Sequence, residues 1–233
     1  NYWNKCTDEN RDYICDETNK AMNDWTGATL NTYLNGTYLN SLDSTSQSLI
    51  SNAKYYLGGV GTVSEDEQDI IKYAQTTGVQ LYSYERKIQN GNCSYDSDAG
   101  AYYGTECYYY GTNPNSWTGK IALMYSSDYF YASSNCENKI MYDVTDNNTD
   151  DLTSRKDIAS CNDINWLYLK VNEWHLPQVS VYSKGVLVLD IYGFFSFDVV
   201  YGNELARPVL YLTPNVQITG GSGTSTDPYT LGI

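Results

Sequence analysis

Glu173-Trp174-His175-Leu176-Pro177-Gln178 at one end and Leu205-Ala206-Arg207-Pro208-Val209-Leu210-Tyr211 at the other bracket the stretch whose reading decides the fold. Both ends read as core strands. Trp174 and Leu176 alternate inward, and Val209 and Tyr211 do the same with Leu210 and Leu212 on the opposite face, a period of two. Between them lie three stretches rich in Val, Tyr and Phe, at 179–182, 186–192 and 194–201. They predict two or three short strands joined at Lys184-Gly185, Gly193 and Gly202-Asn203. A strand frame around an aromatic interior is what a binding surface needs. A plain β-core reads the same way.

Composition narrows the class. The 233 residues carry a formal charge of −14, against nucleic acid or an anionic membrane surface as partner, since both call for a basic patch. Tyrosine is the outlier at 25 residues, a rigid amphipathic side chain suited to β-structure and contact surfaces. No apolar run approaches the ~20 residues of a membrane helix. The chain opens abruptly at Asn1-Tyr2-Trp3, as a mature form or a trimmed ectodomain would.

The six cysteines fall into neighbouring pairs, Cys6 with Cys15, Cys93 with Cys107 and Cys136 with Cys161. Six cysteines admit many connectivities, and the local pairing is the expectation. With one histidine and no C-x-x-C spacing, disulfides are favoured over zinc, which places the chain in an oxidising space outside the cytoplasm.

In chain order, 1–23 reads as a polar, cysteine-bearing lead-in. Leu30, Tyr33 and Leu34 share a helical face that Asn35-Gly36 stops. Ser44 to Gln47 reads as a capping box before a second short helix, and 55–57 as a strand. A third helix is expected over 65–75, a strand over 81–84, a strand over 117–125 and a turn at Asp128-Tyr129. Gly91 to Asn115 is a long Gly/Tyr/Asn tract of the kind that serves as a functional loop or is poorly ordered. Residues 137–160 form a second polar excursion, and 216–218 with 229–231 close the chain as a terminal hairpin or trailing strand. Trp25, Trp117, Trp166 and Trp174 are expected inside and Trp3 outside.

An ordered set of motifs resembles a bacterial surface-domain family. It runs through Trp25-x4-Leu30-x2-Tyr33-Leu34-Asn35, Trp117-x-Gly119-Lys120-Ile121-x-Leu123-Met124-Tyr125-x2-Asp128-Tyr129, Asn165-Trp166-Leu167 and Trp174-x-Leu176. It continues with Arg207-Pro208-Val209-Leu210-Tyr211-Leu212 and Val216-x-Ile218-Thr219-Gly220-Gly221. Members of that family occur in Gram-positive gut bacteria and Mollicutes-like relatives, often behind a type IV pilin-like helix. Their frame is similar to the C-type lectin-like fold in its formylglycine-generating-enzyme branch.

The resemblance implies an α+β, C-type lectin-like domain at 25–233 with short helices near the N-terminus, small antiparallel sheets and long irregular loops. A preface at 1–24 would end a pilin-like stalk. It also implies an extracellular role at the bacterial cell surface, anchored by a missing N-terminal helix or assembled into a pilus, with a protein or glycan ligand and no membrane contact by this segment. The same fold hosts variable proteins of diversity-generating retroelements, whose randomised contact positions precede a final core strand; the equivalent stretch here is 178–204.

Chemistry motifs are weaker. His175 reads as a strand histidine without a nucleophile beside it in sequence. The reactive cysteines of the formylglycine-generating enzymes lie late in their fold, and none follows Cys161 here, so no enzymatic activity is expected. The sugar-binding lectins' Glu-Pro-Asn, Gln-Pro-Asp and Trp-Asn-Asp signatures are missing. Asp143, Asp146, Asp150 and Asp151 supply oxygens for calcium but lack EF-hand spacing, and they and Asp96 and Asp98 read first as solvated loops. No cofactor is expected beyond that calcium. Asn35, Asn92 and Asn147 sit in glycosylation sequons.

Two function classes remain. One is a recognition module whose contact surface is Tyr182, Tyr192, Phe194, Phe195, Phe197 and Tyr201, rimmed by Asp190, Asp198, Asn203 and Glu204. The other is a structural surface or pilus subunit whose aromatic stretch is core. If no more than one of those rings is exposed, the face lies elsewhere and 91–115 is next.

Overall fold

The computed structural model describes residues 2–4, 6–9, 12–15, 22–59, 78–98, 100–103, 107–139 and 159–233. A strand pair, β1 (Cys6–Glu9) and β2 (Asp12–Cys15), precedes a helical run. Asp24 caps its first turn, Trp25–Gly27, by accepting from the Thr26 N–H at 2.8 Å. Next come α1 (Thr29–Tyr33), a wider π turn (Leu34–Tyr38) and α2 (Leu39–Ser41). The stop expected at Asn35-Gly36 is therefore overrun. Asn35 accepts from the Lys120 and Ile121 N–H groups at 3.2 and 3.0 Å and donates to the Ile121 carbonyl at 2.8 Å. Those bonds to a distant strand, formed where the helix widens, outweigh the local glycine penalty.

Helix α3 (Ser44–Leu49) starts from Asp43, one residue before the expected cap, and β3 (Ala53–Tyr56) follows. Residues 81–84 form no strand but part of α4 (Gly78–Glu85). Its buried residues Gly78, Leu81 and Glu85 recur at helical spacing, which four alternating residues are too few to rule out. A small hairpin, β4 (Ser94–Asp96) with β5 (Ala101–Tyr103), lies in the tyrosine-rich tract. The single strand expected over 117–125 breaks at Lys120 into β6 (Ser116–Gly119), paired with β3, and β7 (Ile121–Leu123). The expected turn at Asp128 is helix α5 (Ser126–Tyr131), whose Asp128 accepts from the Tyr125 N–H at 3.2 Å. The helix expected over 65–75 and the acidic run 143–151 lie outside the described residues.

The central sheet is built from the deciding stretch. Its order is β10 (Phe195–Val199), β9 (Gly185–Leu189), β8 (Glu173–Gln178), β11 (Leu205–Ala206), with β11 parallel to β8 and the other pairs antiparallel. Residues 179–182 form the turn between β8 and β9 rather than a strand, with the Gly185 N–H donating to the Tyr182 carbonyl at 3.0 Å. β12 (Pro208–Leu210) pairs with β7, and β13 (Gln217–Gly220) with β14 (Thr230–Gly232) gives the terminal hairpin. The chain is thus α+β with short helices and small sheets, and no closed barrel forms among the described residues.

β8 and β9 are buried along their whole length, so both faces are covered. Trp174, Leu176, Val186 and Val188 join Trp3, Trp25, Leu30, Leu34, Tyr55 and Ile121 in one core. Leu187, Leu189 and Phe195 join Leu81, Tyr129, Phe130, Cys107, Cys136 and Cys161 in the second. The alternation along β9 sorts its residues between the two.

Two tryptophan expectations are corrected. Trp3 is fully buried, its ring 5.1 Å from Trp25 and 6.0 Å from Trp174. The Leu30 N–H donates to its carbonyl, and the Asn4 N–H donates to Val200. Residues 2–4 therefore pack into the body, and packing does not divide there from 25 onward. Trp166 is 75% exposed, its indole N–H spanning to the Ala132 carbonyl at 3.0 Å. Trp117 is half-buried, while Trp25 and Trp174 are inside as expected.

Cys93–Cys107 and Cys136–Cys161 are bridged, with Cα separations of 5.3 and 5.4 Å. Cys6 and Cys15 are register partners across β1 and β2, but their side chains lie outside the described residues. Two disulfides fit a secreted or extracellular protein. No helix among the described residues is long and apolar enough to cross a membrane.

One buried amide holds the β8–β9 turn. Asn23 aims its NH2 at the carbonyls of Val179, Tyr182 and Gly185 at 2.8, 3.1 and 2.8 Å, and its oxygen accepts from Asn113 at 2.9 Å. Asn23→Ala takes a buried donor from all three carbonyls, of which Tyr182 and Gly185 keep a backbone partner. It is expected to cost roughly 1–3 kcal/mol, read as a lower urea midpoint at unchanged slope.

Candidate functional site

The turn joining β9 to β10 carries its own cap. Asp190 accepts from the N–H groups of Tyr192 and Phe194 at 2.8 and 2.9 Å. Gly193 closes it at φ +81°, and a Cβ there would sit 1.8 Å from Asn162 Nδ2. Buried Asn162 accepts from the Tyr129 hydroxyl at 2.6 Å and donates to the Tyr192 carbonyl at 3.3 Å. Gly193→Ala combines strain with that clash and is expected to cost roughly 1–3 kcal/mol, seen as a lower melting temperature.

The outer side of this turn is tied to residues 168–172. The Tyr168 hydroxyl donates to the Ile191 carbonyl at 2.9 Å, and the Ile191 N–H donates to the Asn172 side chain at 3.0 Å. Lys170 holds a left-handed backbone, φ +57°, unusual for a long side chain. Leu169 and Val171 on either side of it are exposed, Leu169 by 53%. The Leu205 N–H donates to the Asn172 backbone carbonyl, bringing the start of β11 alongside. Arg207 anchors the strand below, donating to the Leu167 carbonyl at 2.8 Å and to the buried Glu173 carboxylate at 2.6 Å.

Between these three segments lies an open groove of about 550 Å³. Leu169, Val171, Ile191 and Leu205 supply its apolar surface, and Asn172, Asn203 and Glu204 its polar one. Burial pushes the Glu204 carboxyl above its ordinary range, the hydrogen bond and charge of Asp198 push the same way, and Asn172 opposes them. Gly202 makes that approach possible, since a Cβ there would meet Asp198 Oδ2 at 2.5 Å.

The aromatic surface expected over 178–204 does not form as a patch. Only Tyr192 is well exposed, by 68%. Phe195 is buried, stacked 5.4 Å from Phe130. Tyr182, Phe194, Phe197 and Tyr201 are half-buried, the first packed edge-on against Phe197 at 6.0 Å. The reason is packing: Tyr182, Phe194, Phe195 and Phe197 turn onto the second core, and Tyr201 turns onto the first. Of the expected rim, Asn203 and Glu204 line the groove, Asp198 stands behind Glu204, and Asp190 is spent on the turn.

Sequence reading missed Leu169, Val171, Asn172, Ile191 and Leu205. The one available signal was Leu169-Lys170-Val171, two aliphatics flanking a lysine. In 91–115, Tyr95 and Tyr102 pair at 5.0 Å, Tyr102 meets Tyr110 edge-on at 5.2 Å, and Tyr95 is exposed.

His175 Nδ1 is 3.1 Å from the Ser126 hydroxyl, but both are sealed from solvent. Burial, with the Arg207 charge, lowers the imidazole to about 3, so it stays neutral and costs stability only as pH falls from 6.5 toward 3. Asp96 and Asp98 are exposed, and the described residues contain no cluster of three or more His, Cys, Asp or Glu able to hold a metal.

No family model, curated protein or solved structure matches the chain.

Proposed function

We propose that this chain is an extracellular, non-enzymatic recognition module of a bacterial surface protein or pilus, binding a protein ligand in the groove between 168–172, 190–193 and 203–205. One observation carries the reading: exposed Leu169, Val171, Ile191 and Leu205 converge on one groove whose backbone is pinned by Asp190, Asn172 and Asn162. Aliphatic walls suit apolar side chains better than sugar rings. The C-type lectin-like assignment, with its kinship to retroelement variable proteins, belongs to the same proposal. It is supported by the order of the motifs and the α+β frame, and the groove draws Ile191, Asn203 and Glu204 from the 178–204 stretch.

Panning a displayed random-peptide library on the intact protein tests the module. Enriched peptides are expected to lose binding to Leu169→Asp, whose site is 53% exposed, and to Leu205→Asp, with the melting temperature of each variant measured alongside. Peptides indifferent to both changes would move the site away from the groove.

A second reading, a structural subunit, is favoured by the terminal hairpin. Along β13 and most of β14 the side chains are exposed, Ile218 and Leu231 included, and a lone two-stranded hairpin is marginal in water. If assembly is the role, sedimentation gives a concentration-dependent oligomer that deletion of 216–233 converts to monomer.

A further inference from the structure

We infer that the groove takes an extended peptide segment of a partner protein that combines aliphatic side chains with a lysine or arginine set against the Asp198–Glu204 pair. This deepens the function proposed above and rests on it. The apolar half of the inference comes from the four aliphatic walls. The cationic half comes from charge complementarity.

The chain as a whole carries −14, with 28 acidic side chains against 14 basic ones, so its field already favours cationic partners. At the groove the bias is local. Glu204 lines it and shares a hydrogen bond with Asp198, so two carboxyl groups stand together where solvent and ligand reach one of them. Among the described residues, Arg207 is committed to Glu173 and to the Leu167 carbonyl, and Lys170 is not in the lining. The positive charge that the N-terminus adds at Glu204 acts more weakly than Asp198. An anionic or purely polar ligand would meet repulsion at one end and apolar walls at the other. A basic side chain flanked by aliphatic ones satisfies both.

The extended form follows from the shape of the groove. It crosses the end of the sheet, from Ile191 after β9 past Asn172 before β8 to Leu205 in β11, with Tyr2 bridged to Asn203 beside it. An extended segment laid across these walls places alternate side chains into the groove and the others outward. A helix would need a longer trough than the span of three short segments. Preorganisation is already in place, since the Tyr168, Asn172 and Asp190 bonds hold the walls.

The test uses three synthetic peptides of alternating valine and leucine that carry two lysines, two glutamines or two glutamates at the same positions. Each is titrated into the intact protein by fluorescence anisotropy at low and high salt. The lysine peptide is expected to bind about tenfold tighter than the glutamine peptide and to lose that advantage in high salt, with the glutamate peptide weakest. Glu204→Gln is expected to bring the lysine peptide down to the glutamine level, and Leu169→Asn, which removes an aliphatic wall without adding charge, to remove binding of both. Equal lysine and glutamine affinities, both lost in Leu169→Asn, would overturn the cationic preference and leave the groove as the site. Binding by the glutamate peptide as tight as by the lysine peptide would overturn it too. No peptide responding to Leu169→Asn would overturn the inference and the groove reading together. Melting temperatures of both variants, expected near that of the parent, separate lost binding from lost fold.

Discussion

Trp3→Ala is expected to destabilise the protein as severely as Trp174→Ala, by roughly 3–5 kcal/mol. Both rings are fully buried, and with Trp25 they form one aromatic cluster at centroid separations of 5.1 and 6.0 Å around Trp3. Removing either leaves a cavity the remaining rings cannot close without breaking their packing contacts. Against a typical total of about 5–15 kcal/mol, the loss lowers the melting temperature by many degrees. Trp166→Ala is the control. That ring is 75% exposed, and its removal is expected to cost less than about 1 kcal/mol. Thermal unfolding of the three variants side by side decides the matter. A Trp3→Ala protein melting with the parent would take the N-terminal residues out of the core.

The second large effect is a pH dependence. Glu85 is completely buried at the end of α4, where Ser127 donates its N–H and its hydroxyl to the carboxyl and Arg86 lies 3.3 Å away. Burial outweighs these partners and raises the group from 4.5 to about 8. An unfolded chain releases this proton near 4.5 and the folded one near 8, so between the two the folded state holds one proton more. Stability therefore falls as pH rises across that window, with a limiting slope of roughly 1 to 1.5 kcal/mol per pH unit. Glu85→Gln keeps the shape of the protonated acid and cannot ionise. Its advantage over the parent is expected to be constant below pH 4.5, to grow up to pH 8 and to level off beyond. Asp128 and Glu173 are also raised by burial and slope the same way, whereas His175 slopes oppositely between 3 and 6.5. The difference between variant and parent, followed by urea unfolding across pH 4 to 9, isolates Glu85. A difference that does not change with pH would mean the carboxyl ionises as freely in the fold as outside it.

Much of the frame was legible because its cues are local. The pairs Cys93–Cys107 and Cys136–Cys161 were read from nearness in sequence, and both bridges are present. Alternation around Trp174 and through 185–199 named three adjacent strands of the main sheet, and the terminal hairpin was visible from its glycines and β-formers. Failures fell where a residue's partner lies far along the chain. Asn35 reads as a helix stop until Lys120 and Ile121 take its side chain. Residues 81–84 read as a strand, but they belong to a helix whose Glu85 is buried against Ser127, 42 residues on.

The sequence by itself determined the mix of short helices and strands, two cysteine pairings and the strands at the centre, since period and cysteine spacing are one-dimensional and survive any arrangement of the pieces. Only the tertiary structure decided which aromatics are inside. Phe195 is hidden because Phe130 and His175 close over it, while Trp166, in a motif that reads as core, has nothing laid on it but its own edge bond to Ala132. The groove belongs to the same category. Its walls come from 169–172, 191 and 203–205, three segments that share no periodicity, and they meet because Asn172 binds both Ile191 and Leu205. Exposure depends on what else packs against a side chain, and that is a property of the assembled surface rather than of any segment within it.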